Sequence, residues 1–62
     1  MKVKEAHNLI EHLGYGHIHH SKRDNIIISQ HKKESRHGIF KYEKGKLYQM
    51  ETNVGWREVE QI

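Results

Sequence analysis

The sequence predicts an α+β domain: one N-terminal amphipathic helix packed on a three- or four-stranded antiparallel β-sheet of the meander type. Three features carry that prediction. A helical apolar stripe is confined to the first fifteen residues, Ile26-Ile27-Ile28 strongly favours extended backbone, and aromatic residues alternate on both sides of a Lys44-Gly45 turn. The chain has 62 residues with no Cys and no Pro, so it holds one domain, residues 1–62. Its core is thin, because a chain of this length buries only about 60% of the surface its unfolded form exposes.

The helix is expected from about Lys4 to Leu13. Ala6, Leu9, Ile10 and Leu13 fall in one stripe with Val3 at its edge, while Lys4, Glu5, His7, Asn8, Glu11 and His12 take the other side. Gly14 supplies the left-handed residue that ends many helices, and Tyr15 can fold back onto Ile10.

Beyond Gly16 the pattern becomes that of strands. His17-Ile18-His19-His20 is short and runs into a polar turn at Ser21 to Asn25. Asn25 to Gln30 follows as a strand whose three isoleucines suggest an interior position with both faces covered. A basic connection from His31 to His37 leads to a strand at Gly38 to Tyr42. A two-residue turn at Lys44-Gly45 would force Lys44 to positive φ, so a three-residue Glu43-Lys44-Gly45 loop is expected instead. That register would set Phe40 opposite Tyr48 and gather Phe40, Tyr42, Tyr48 and Met50 on one face. In the tail, Trp56, Val59 and Ile62 have helical spacing, but the turn-like Thr52-Asn53-Val54-Gly55 before them favours a last strand.

Charge and residue usage bound the function. Residues 1–46 carry ten Lys/Arg against five Asp/Glu, and 47–62 carry Arg57 against Glu51, Glu58 and Glu60, for a net charge of +3. That surplus permits an anionic partner without demanding one. Without Cys there is neither disulfide, thiolate metal site nor Cys nucleophile. No stretch approaches the roughly 18 apolar residues of a membrane span, and no apolar segment follows Met1-Lys2-Val3-Lys4-Glu5, so a cytoplasmic protein with no membrane partner is expected.

The seven His are the compositional outlier. His17 and His19, at i and i+2 on a strand, would share a face and could meet a metal with His31, His37 or Asp24 as a third ligand. The spacing matches no metal motif, and solvent-facing polar residues account for it more simply, so no metal and no cofactor are expected. Segment 17–37 holds Lys22, Arg23, Lys32, Lys33 and Arg36 against Asp24 and Glu34, a composition suited to a phosphate backbone. In a meander, however, the loops at 21–25 and 31–37 lie at opposite ends of the sheet. Of Tyr15, Phe40, Tyr42, Tyr48 and Trp56, most are needed for the core, and Trp56 is the one expected to stay exposed and to anchor a protein partner. Ser21, Ser29 and Ser35 sit in no nucleophile motif, the carboxylates are scattered, and Gly14-Tyr15-Gly16 is better explained by helix termination than by phosphate binding. No catalytic residue is assigned.

Lys4-Glu5, Leu9-Ile10 and Leu13-Gly14-Tyr15 together resemble the first helix and turn of HicA-type RNA-cleaving toxins. The resemblance covers about fifteen residues and implies an α-β-β-β-α fold related to double-stranded-RNA-binding domains, with ribonuclease activity. The family's Gly-Ser-His signature is not present, since Ser21 follows His19-His20 and precedes Lys22.

The expected function is therefore a small non-enzymatic regulator, of the compact kind that bacteria and their phages encode, acting by protein–protein interaction. The alternative is a small basic RNA- or DNA-binding module that uses segment 17–37. A divergent ribonuclease comes third. Homodimerisation is a further expectation for so thin a core.

Overall fold

The computed structural model describes residues 1–59, and all that follows concerns those residues. The chain forms α1 (Val3–His12), β1 (Tyr15–Ser21), β2 (Ile26–His31), β3 (His37–Glu43), β4 (Lys46–Glu51) and β5 (Gly55–Glu58). The strands lie in the order β1-β2-β3-β4-β5, each antiparallel to its neighbour. The helix-on-meander architecture read from the sequence is the one observed, with five strands rather than three or four. The tail at Gly55–Glu58 is a strand, the form favoured over a helix by the turn-like residues before it. Ile62, which contributed to the helical spacing there, lies outside the described residues.

At the start of α1, the Lys2 backbone N–H donates to Glu5 Oε1 at 3.2 Å, so a carboxylate satisfies one of the first free amides. Ala6 and Ile10, four apart on one face, are fully buried, and Leu9 packs partly against them. Leu13 departs from expectation, being 41% exposed. The helix stops at His12, with Gly14 turning at φ +100, so Leu13 lies past the last turn on the rim.

Ala6, Ile10, Tyr15, Ile27, Phe40 and Leu47 form the core beneath the helix. Tyr15 meets Phe40 edge to face, with ring centroids 5.3 Å apart. Ser29 is buried among them and donates its hydroxyl to the Gly38 carbonyl at 3.3 Å.

Two one-residue decisions set which side chains reach that core. The first is a bulge in β1. The pairs Gly16↔Gln30 and His19↔Ile28 enclose one more residue on β1 than on β2, and His17 sits at φ +50. His17 and His19 are both exposed, but no third His, Asp or Glu is grouped with them among the described residues. The bulge lets Ile18 pack on the core and turns His20 toward the helix.

The second decision is the β3–β4 turn. The pairing Glu43↔Lys46, Tyr42↔Leu47 and Phe40↔Gln49 leaves Lys44-Gly45 as a two-residue turn, with φ of +51 and +74. This is the primed turn whose twist suits a hairpin, and it replaces the expected three-residue loop. A left-handed Lys costs about 1–2 kcal/mol. In return the register drives Leu47 into the core at 1% exposure, against Phe40 and not on the far side. Phe40 therefore stands opposite Gln49 rather than Tyr48. Tyr48 and Met50, expected beside Phe40 and Tyr42, point to the other face.

Candidate binding surface

A single helix covers one face of the five-stranded sheet, and the register dictates what the opposite face displays. Ile28 pairs with both His19 and Ile39, and Met50 pairs with Trp56. Ile39 and Met50 each lie one residue beyond the Phe40↔Gln49 pair, which places them side by side. An apolar row Ile28–Ile39–Met50–Trp56 thus crosses β2 to β5. These side chains are 47%, 42%, 42% and 37% exposed. A second row follows through Ile26, Lys41, Tyr48 and Glu58. The expectation that the isoleucine strand has both faces covered fails here: β2 is interior to the sheet, yet Ile28 faces solvent.

Lys41 sits at the centre of this open face. Its Nζ lies 4.9 Å from the Trp56 ring centroid, 5.5 Å from that of Tyr48, and 3.4 Å from the Glu43 carboxylate. Two rings and one carboxylate therefore hold the ammonium group, and its aliphatic stem adds to the apolar surface. A contiguous exposed patch of large apolar side chains on a small domain is the usual mark of an interaction surface, unlike an isolated exposed Leu.

The sheet edges are poor templates for strand addition. The bulge at His17 distorts β1, and β5 has only four residues, with Arg57 tied to Glu51 at 3.4 Å. Bulges, short strands and charges are how proteins blunt their edges. Docking by edge pairing is thereby disfavoured, and the face remains.

The five basic residues singled out from the sequence separate into two groups. Lys22 and Arg23 lie in the β1–β2 turn, while Lys32, Lys33 and Arg36 lie in the β2–β3 loop. The six-residue β2 divides them, a span of about 20 Å. Lys44 joins the first group, since the Tyr42 amide bonds the Asn25 carbonyl where the two turns meet. In the second group Arg36 is engaged by Glu34 at 3.1 Å.

The histidines divide similarly. His31 is structural: its Nδ1 accepts the Lys33 and Glu34 amides at 3.1 and 3.0 Å, and its ring stands edge-on to Tyr15. His7 and His20 meet between helix and sheet, a pairing with no local sequence signal because thirteen positions separate them. Among the described residues no three His, Asp or Glu are grouped as metal ligands. Nor is any described helix long and apolar enough to cross a membrane.

Beside Leu13 are two shallow grooves of about 530 and 290 Å³. Gln49 lines both, and its side-chain amide donates to the Tyr15 hydroxyl at 3.3 Å. Glu51, also in both, is paired with Arg57 at 3.4 Å.

Comparison with known protein families, with curated proteins and with solved structures finds no match. The fold does not reproduce the order implied by the HicA resemblance, because β3 is followed by two further strands, β4 and β5, where that order has a helix.

Proposed function

We propose that the protein is a non-enzymatic regulatory module that works by binding protein through the open face of its sheet. The observation that carries this reading is the row Ile28–Ile39–Met50–Trp56, four large apolar side chains exposed side by side with Tyr48 and Lys41 beneath them. Trp56, the residue expected from the sequence to anchor a partner, belongs to that row. Buried aromatic anchors dominate the energetics of protein interfaces, and Trp and Tyr are prominent among them.

The competing reading is a nucleic-acid-binding module on segment 17–37. It asks one ligand to span both ends of β2, from Lys22 and Arg23 to Lys32 and Lys33. It also leaves the apolar row without a role.

A comparison of variants tests the proposal. The tagged protein is used as bait in nuclease-treated extract, in three forms: wild type, Ile39→Lys, and Lys32→Glu with Lys33→Glu. Capture lost with Ile39→Lys and kept with the double Glu variant is the expected result. The reverse pattern, together with steeply salt-dependent retention on RNA or DNA, would overturn it in favour of nucleic acid.

A further inference from the structure

We infer that the occupant of the open face is a second copy of this chain, stacked sheet to sheet with the helices outermost. The inference rests on the reading above that this face docks protein, and it names the partner.

Charge is the first reason. From β2 to β5 the open face carries Lys41 and Lys46 against Glu43 and Glu58, two of each sign, with Lys32 outside that area against Gly16 of β1, while the chain as a whole has a net charge of +3. The excess positive charge therefore lies in the turns, at Lys22, Arg23, Lys32, Lys33, Arg36 and Lys44, since the helix with its cap Lys2 carries two charges of each sign. A nucleic acid needs the opposite distribution. Two like-charged molecules can approach through a face that is neutral.

Self-complementarity is the second. A two-fold interface presents the same patch on both sides, so each row must find a suitable partner in itself. A two-fold axis parallel to the strands and running between β3 and β4 meets that condition. It sets Ile39 over Met50 of the second copy, and Ile28 over Trp56 of the second copy. In the next row Lys41 comes over the second copy's Tyr48, a ring that already attracts the same ammonium within one chain at 5.5 Å. At the turn end Glu43 comes over the second copy's Lys46. Glu58 comes over the second copy's Ile26 at the rim of the face, where water still reaches the carboxylate. Stacked sheets pack in this way with strands crossing at about 30° and a layer about 10 Å thick.

Area is the third. Four strands at about 4.8 Å spacing and some five residues long present a face that buries about 500 Å² per copy, or about 1,000 Å² in total. That is the lower limit for a specific interface, so the dimer is weak and reversible. Among the described residues the monomer core comprises six buried apolar side chains. Stacking would add a second apolar layer on the other side of the same sheet.

Sedimentation velocity from about 1 µM to about 1 mM tests this on wild type, Ile39→Lys and Met50→Lys, with circular dichroism to verify folding. Both variants change exposed residues, and two are used so that loss of fold in one leaves the other. Wild type is expected to move from the monomer mass to twice that mass across the range, with either folded variant remaining monomeric throughout. A wild type that stays monomeric at about 1 mM overturns the inference. So does a dimer that survives both substitutions, because it would be built on another surface. If wild type is monomeric, the docking reading is judged separately by the bait comparison: it stands if Ile39→Lys abolishes capture and falls if it does not.

Discussion

His7 and His20 meet at the boundary between helix and sheet, Nε2 of the first 3.2 Å from Nδ1 of the second, their rings at 67°. The contact is a hydrogen bond when one facing nitrogen carries the proton and the other is bare, so the tautomers decide which ring donates. The far nitrogen of His20, Nε2, is buried without a hydrogen-bond partner. Burial first, then the proximity of His7 and Lys22, hold the His20 imidazole below its ordinary value of 6.5.

That depression makes stability depend on pH. In the unfolded chain His20 titrates near 6.5, so just below that pH the unfolded state binds more protons than the folded state. The His20 contribution is complete above 6.5, declines as pH falls, and is lost once pH has passed through the folded-state value. His20→Phe keeps a ring against His7 while removing both the proton and the unpaired nitrogen. At pH 7 it is expected to leave stability unchanged or raise it by up to about 1 kcal/mol. Between pH 6.5 and about 5 its decline should be shallower than that of wild type. Urea denaturation of both proteins at the two pH values checks this, and identical acid sensitivity would contradict it.

The Lys44-Gly45 turn makes a second prediction. Lys44 holds φ +51, a conformation that Asn tolerates far better. Lys44→Asn is expected to stabilise the protein by about 0.5–1 kcal/mol. The three-residue loop would have kept residue 44 right-handed and made the change neutral. Thermal and urea midpoints distinguish the outcomes.

Gly38 gives a third. A Cβ built there would lie 2.7 Å from Phe40 Cε1 and 2.7 Å from Tyr15 Cε1, inside the pair of rings that anchors the core. Gly38→Ala is therefore expected to destabilise by about 1–3 kcal/mol through overpacking, although Ala has the better intrinsic strand propensity. Equal urea midpoints for variant and wild type would mean that the rings move aside at no cost.

The helix and the antiparallel meander beside it were legible because their signals are local. Ala6 and Ile10 recur at helical spacing, Ile26-Ile27-Ile28 resists helix, and Gly45 marks a turn. The separation of Lys22 and Arg23 from Lys32 and Lys33 followed from the meander itself. The composition of each sheet face was much less legible. A strand's side chains alternate, so one extra or missing residue reverses every assignment beyond it. The left-handed Lys44 shifted β4 by one position, placing Leu47 in the core and Tyr48 and Met50 outside. The bulge at His17 adds one residue to β1 opposite β2. Both depend on tertiary packing that outweighs a local backbone preference. Trp56 was identified as exposed, but its neighbours Ile28, Ile39 and Met50 became visible only once the register was known.

Trp56 is the only tryptophan in the chain, and it lies in the apolar row. Its fluorescence therefore reports directly on whether that face is covered. On dilution from about 1 mM to about 1 µM, the emission maximum of wild type is expected to shift to longer wavelength as water replaces the second copy. Ile39→Lys should show the long-wavelength spectrum at every concentration. A wild-type spectrum that does not change with concentration and matches that of Ile39→Lys throughout would contradict the account, because the face would then be open to water in both.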